Sequence, residues 1–246
     1  MVFFKGGRPF FGEALGILML DMKAPCIPGN VGNANSYDFP VRYKVLDGIP
    51  CNWWFDKEGA SKERLKIFIE KAKELEQEGV RAITTGCGFF SVFQKEASQC
   101  LKIPLFSSPL LLVPLVSNML GENKRVGIIA SGLEINEEMF LRSAGITSST
   151  PIALGTLEKC IEFNLVHNLE KKLEIDVLKI EQEIISVAKN LMNNYPDIGA
   201  LVFECSDIPP YSKVVSEALN LPVFDFISFA HFIYRAVVPE HYEGFM

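Results

Sequence analysis

Apolar and β-branched runs alternate with stretches of helical period along almost the whole chain, the pattern of parallel strands covered by helices. The first strand is expected at Leu15 to Asp21, whose apolar residues occupy both faces. Leu65, Phe68, Ile69, Ala72 and Leu75 recur at helical spacing behind a Ser61 N-cap, and Gly79 is the C-terminal stop. A strand over Val80 to Thr85, a helix over Phe89 to Leu101 and a strand over Ile103 to Ser107 follow, then a helix over Leu110 to Leu120 and a strand over Arg125 to Ser131. Ser131 and Glu134 have capping-box spacing, Met139 and Phe140 offer an inward face, and Gly145 closes that helix.

The second half repeats the order. It predicts a strand at Pro151 to Leu154, a helix from Asp176 to Tyr195 ended by Pro196, and a strand at Gly199 to Glu204. A helix over Tyr211 to Leu219, a strand over Pro222 to Phe226 and a helix from Ser228 complete it. The repeat lies in the order of elements, not in the residues themselves. The expected fold is α/β, with two similar Rossmann-like or flavodoxin-like lobes around parallel sheets and a site in the cleft between them. Residues 1–125 with 225–246 form the first lobe, and residues 126–224 the second. The Pro- and Gly-rich stretch from Lys23 to Gly59 reads as a long irregular connection bordering the site. Asn30, Asn33, Asn35, Tyr37, Arg42, Trp53 and Trp54 are its candidate lining residues. Arg42 equally reads as a solvated charge, and the Trp pair as packing at a dimer interface.

With 246 residues, 48% of them hydrophobic, the chain can bury a large core. A net charge of -6 offers no basic field for nucleic acid. No apolar run reaches membrane-span length and no secretory leader is evident, so a cytoplasmic protein with reduced thiols is expected. The cysteines at 26, 51, 87, 100, 160 and 205 contain no zinc-type Cys-x-x-Cys pair. Cys160 and His167 lie near each other along the chain, and the plainer reading is two unrelated residues; no metal is expected.

Two of the six thiols share a setting. Cys87, in Thr85-Gly-Cys-Gly-Phe89, and Cys205, in Glu204-Cys-Ser-Asp-Ile-Pro-Pro-Tyr211, each end a strand where a helix begins. Open parallel sheets bind ligands at that end, and helix-start N–H groups stabilise both thiolates and substrate carboxylates. Gly86 and Gly88 let a ligand approach the backbone. Asp207 has two readings, an acid that polarises Cys205 or an ordinary first-turn acid.

These motifs, with Pro28-Gly29-Asn30 after the first strand, resemble the aspartate/glutamate racemase superfamily, which includes glutamate, aspartate and hydantoin racemases, maleate isomerase and arylmalonate decarboxylase. The resemblance implies a cofactor-independent racemase or epimerase of an amino acid or related carboxylate, with Cys87 and Cys205 as the catalytic acid/base pair. It implies that Asp21, Asn30, Thr85, Gly88, Phe89, Ser131, Ser206 and Asp207 bind the substrate. Gly88-Phe89 and Ser206-Asp207 replace the Asn-Thr and Thr-His pairs of glutamate racemases, so glutamate itself is not indicated. Alternatives are a maleate-type isomerase, an arylmalonate-type decarboxylase, a non-catalytic small-molecule binder or a thiol redox protein. A homodimer is compatible with such a fold.

Overall fold

The structure is a computed structural model that describes residues 3, 6–55, 59–132 and 138–246. Two four-stranded parallel sheets form its centre. The first has the order β2-β1-β3-β4, with β1 (Leu15–Asp21), β2 (Val41–Pro50), β3 (Ala82–Thr85) and β4 (Leu105–Phe106). The second has the order β6-β5-β7-β8, with β5 (Arg125–Ala130), β6 (Ile152–Thr156), β7 (Ile198–Phe203) and β8 (Val223–Phe224). The two orders are equivalent, so the predicted architectural repeat is present. Cys87 follows β3 and Cys205 follows β7, the same strand of each sheet.

β1 carries an almost unbroken apolar sequence because both its faces are covered. On one face lies α1 (Lys62–Glu78), capped by Ser61, whose side chain accepts from Arg64 N–H, and closed by Gly79 in the left-handed region at φ 93°. Phe68, Ala72 and Leu75 form its buried stripe, and Gly16 leaves room for Leu75 and Val80 against the strand. In the second lobe, α6 (Val177–Asn194) starts at the Asp176 cap and buries Ile180, Ile184, Ala188 and Leu191 against its sheet. α8 (Phe226–Val237), held by an Asp225/Ser228 capping box, returns the chain to pack Phe229 on Phe106 of the first sheet.

Four local expectations change. The stretch from Lys23 to Gly59 is not wholly irregular, because β2 pairs along β1 as an edge strand. Gly48 and Pro50 hide it, and both are tolerated at an edge. The segment after Cys87 is a 3-10 turn (Gly88–Phe93) followed by a short α2 (Gln94–Ser98), not one helix to Leu101. The tighter winding puts Phe90 and Phe93 on one face, where both rings stack on Trp53. The next helix likewise opens as a 3-10 turn at Pro109 and continues as α3 (Val113–Met119). In α4 (Glu138–Ser143) only Phe140 turns inward, whereas Met139 is exposed, since neighbouring helical residues diverge by about 100°. The expected Glu134 cap lies outside the described residues.

Candidate active site

The carboxyl ends of β3 and β7 meet across the cleft. Ser206 Oγ donates to Gly86 O at 2.7 Å, and Val31 N–H donates to Ser206 O at 3.4 Å. Glu170, from the second lobe, accepts from the backbone N–H groups of Lys23 and Ala24 in the first. Between these ties lies a small cavity, lined by Cys87 and Cys205 together with Trp54, Glu204, His167 and Asp207. Its free centre is about 10 Å3, the space of roughly one water, so the lobes are shut around it.

Both thiols are buried, and burial pushes both well above the usual cysteine range, with the Glu204 and Asp207 carboxylates adding to the rise. Their hydrogen-bond surroundings differ. Around Cys87 two donors appear beside the Glu204 carboxylate. The Phe89 N–H favours negative charge on its sulfur, and the Trp53 indole N–H faces it without closing a full hydrogen bond. Cys205 has an acceptor instead: its S–H donates to Asp207 Oδ2 at 3.6 Å, while Asp207 N–H returns to the sulfur at 3.5 Å. Asp207 is anchored by Asn30 Nδ2, which donates to Oδ1 at 2.7 Å from the other lobe. The Cys205 proton therefore has an acceptor within the protein, the Asp207 carboxylate.

The other candidates divide by position. Gly88 lies against Glu204 so closely that no Cβ would fit. Ser131 lines the cavity, and its N–H donates to Glu204 Oε2 at 3.4 Å. Ser206 lines it too, although its hydroxyl is committed to Gly86. The Phe89 ring stacks on Trp54 at 4.5 Å, making an aromatic wall. Thr85 is fully buried, with its hydroxyl on Ser107 O and Cys87 O, so it shapes the turn rather than touching a ligand. Asp21 is not brought to the cavity: it is exposed, and Leu20 and Met22 flank the opening instead, because side chains alternate along a strand. Arg42 is held by Glu13 and Glu78 away from the cleft. His167, Asn168 and Cys51 are site residues that sequence reasoning did not place there; Glu204, which ends a buried strand and reads from sequence as either a site residue or a helix cap, lines the cavity. Only the tertiary fold brings His167 to Asp207.

Among the described residues, no group of three His, Cys, Asp or Glu side chains is placed to hold a metal, and no helix is long and apolar enough to cross a membrane.

A single-residue variant of arylmalonate decarboxylase superimposes over 93% of this chain and 94% of its own, with TM-score 0.64 and 13% identity. Glutamate racemase from Francisella tularensis matches 92% of this chain and 81% of its own, with TM-score 0.56 and 19% identity. The chain has the aspartate/glutamate racemase fold. No family model matches it. Sequence relatives of this racemase-fold chain point to different chemistry. A dimethylsulfoniopropionate lyase of Durusdinium sp. clade D is 29% identical over 92% of this chain and 75% of its own length. Dimethylsulfoniopropionate lyase 7 of Emiliania huxleyi is 29% identical over 87% of this chain, which spans 64% of that protein.

The expectation of a racemase, and of an isomerase in general, is corrected by these relatives, which are lyases. The physical reason is that paired thiols at the ends of β3 and β7 suit proton removal beside a carboxylate in either reaction. What happens to the resulting carbanion depends on the substrate, and neither Cys motif encodes it.

Proposed function

We propose that this chain is a carbon–sulfur lyase that cleaves dimethylsulfoniopropionate, or a close sulfonium carboxylate, by β-elimination without a cofactor. The observation that carries the reading is the pairing of Cys205 with Asp207 inside a shut cavity, in a chain related over 92% of its length to such a lyase. Elimination needs one base at the carbon next to the carboxylate, and the leaving dimethyl sulfide is neutral, so it needs no acid.

Cys205 is the base in this reading, because it has an internal acceptor for its own proton. Cys87 remains a thiol. Its S–H supports the charge that develops on the substrate carboxylate, and a second thiolate beside the first would be disfavoured. Backbone N–H groups at the starts of the two turns supply further donors to that carboxylate. Among the described residues, none of the side chains lining the cavity is Lys or Arg, whereas Glu204, Asp207 and the Trp54–Phe89 wall are there. Carboxylates and aromatic faces suit a sulfonium cation. Since the shut cavity holds about one water, substrate entry requires the lobes to part.

The test is purified protein with dimethylsulfoniopropionate, protiated or deuterated beside the carboxylate, with dimethyl sulfide followed in the headspace. Release with a primary isotope effect supports the reading. Solvent exchange at that carbon without sulfide release would replace it with a proton-transfer enzyme of another kind.

A further inference from the structure

Racemisation returns one proton for each it removes. Elimination does not: dimethylsulfoniopropionate yields dimethyl sulfide, acrylate and one proton. That proton arrives on Cys205 in a cavity without room for bulk water, so the base stays spent unless the proton has a way out. The first step of an exit is the Asp207 carboxylate, at 3.6 Å.

A second group stands behind it. His167 is 3% exposed and lines the cavity, with Nδ1 3.5 Å from Asp207 Oδ1. Neither of its ring nitrogens makes a hydrogen bond within the protein. Native proteins rarely leave two buried imidazole nitrogens so, and such groups call for an explanation. The residue sits in a π-helical turn (Asn164–Asn168), a distortion often found at functional sites, with its ring against Phe163. Asn168 within that turn reaches Ser131 O, tying the distortion to the cavity wall.

We propose that His167, acting through Asp207, is the positioning residue that takes the abstracted proton from Cys205 and restores its thiolate for the next turnover. The proposal rests on the reading above in needing Cys205 as the base. The S–H bond breaks as a proton passes to the Asp207 carboxylate, and that carboxyl passes a proton to His167 Nδ1. No electrons change hands, and the end state is thiolate, carboxylate and imidazolium. The imidazolium loses its proton to water when the lobes part and the products leave.

Several further groups face the relay. Glu204 and Cys87 face Cys205, while Cys26 and Tyr211 feel the Asp207 charge from the loop after β1 and the turn before the helix Ser212–Leu219. Cys51 donates to Asn168 O and lies beside Glu170. All of these are acids or weak acids.

The experiment uses the full chain labelled with [3-13C]cysteine. The Cys205 Cβ resonance is assigned by its loss in Cys205→Ser and titrated from about pH 6 to pH 11 in wild type, His167→Gln and Asp207→Asn. His167→Gln should move the Cys205 midpoint up by a pH unit or more, whereas Asp207→Asn, which removes a carboxylate that raises it, should move it down; both should lower kcat for sulfide release about tenfold or more, with KM little changed. The deficit in kcat should shrink as pH rises. A Cys205 midpoint unchanged in a folded His167→Gln protein would overturn the relay; should that variant not fold, a folded Asp207→Asn protein that keeps the wild-type kcat would overturn it. The titration needs no turnover, so an inactive wild type would sink the lyase reading while still deciding the relay.

Discussion

Gly88→Ala tests how closely the Cys87 turn is set against the end of β7. An ideal Cβ at this position lies 2.7 Å from Glu204 Cδ and nearer still to Glu204 O and Oε1. Two of the three obstacles belong to a fully buried carboxylate, and the third is backbone, so none can swing away into solvent. The turn must instead lift off β7 and carry the Cys87 sulfur with it. Overpacking of this kind costs about 1–3 kcal/mol. For a chain of this size that lowers Tm by roughly 2–12 °C. Displacing a reacting group by about 1 Å can cost on the order of 100-fold in turnover. The matched control is Gly121→Ala, where nothing lies within 4 Å of the new methyl and melting should be unchanged. Scanning calorimetry of both variants, with sulfide release at saturating substrate, is the assay. A Gly88→Ala protein that melts and turns over like wild type would refute the close approach and with it the placement of Cys87 opposite Glu204.

Three further outcomes are expected. Asn30→Leu removes the 2.7 Å donor to the Asp207 carboxylate, and urea unfolding should show a loss of about 1.5–3 kcal/mol, as for hydrogen bonds to charged groups. Trp54→Leu removes one face of the aromatic wall; a cation–π contact of about 0.5–2 kcal/mol translates into a KM raised roughly 2- to 30-fold, while an uncharged thioether analogue should bind equally well to both proteins. Burial raises Cys51 and Cys160 to about 12. These thiols stay protonated in the fold after the unfolded chain has begun to ionise, so their contribution is complete below about pH 9 and is lost as pH rises toward the folded values. Stability should fall by less than ~1.4 kcal/mol per pH unit per thiol. Urea midpoints at pH 8 and pH 10 check the direction, and Cys160→Ala should flatten the slope.

The parts legible in the sequence are those written by local pattern. The covered strands β1, β5 and β7 announce themselves as apolar runs, and the Ser61, Gly79 and Asp176 caps mark helix ends by residue type. Cys87 and Cys205 stood out from the other thiols because each ends a strand at a turn, and that position brought both to one cavity. β2 was hidden because Gly48 and Pro50 break a strand signal whose polar edge already weakens it. His167 was hidden for another reason. Its significance lies in its contact with Asp207, 40 residues away in sequence, which only the tertiary fold makes. The fate of the substrate was not legible at all. A thiol base beside a carboxylate serves racemase and lyase alike, and the leaving group belongs to the ligand.

The central claim is that Cys205 removes the proton whose loss expels dimethyl sulfide, with Cys87 supporting the charge. It is tested most directly by headspace dimethyl sulfide and 1H NMR of acrylate for wild type, Cys205→Ser and Cys87→Ser in parallel. The account predicts equimolar dimethyl sulfide and acrylate from wild type and a rate at least about 100-fold lower from Cys205→Ser, the scale of losing a general base. Cleavage by Cys205→Ser at the wild-type rate, or a folded wild type that leaves dimethylsulfoniopropionate intact, would contradict it.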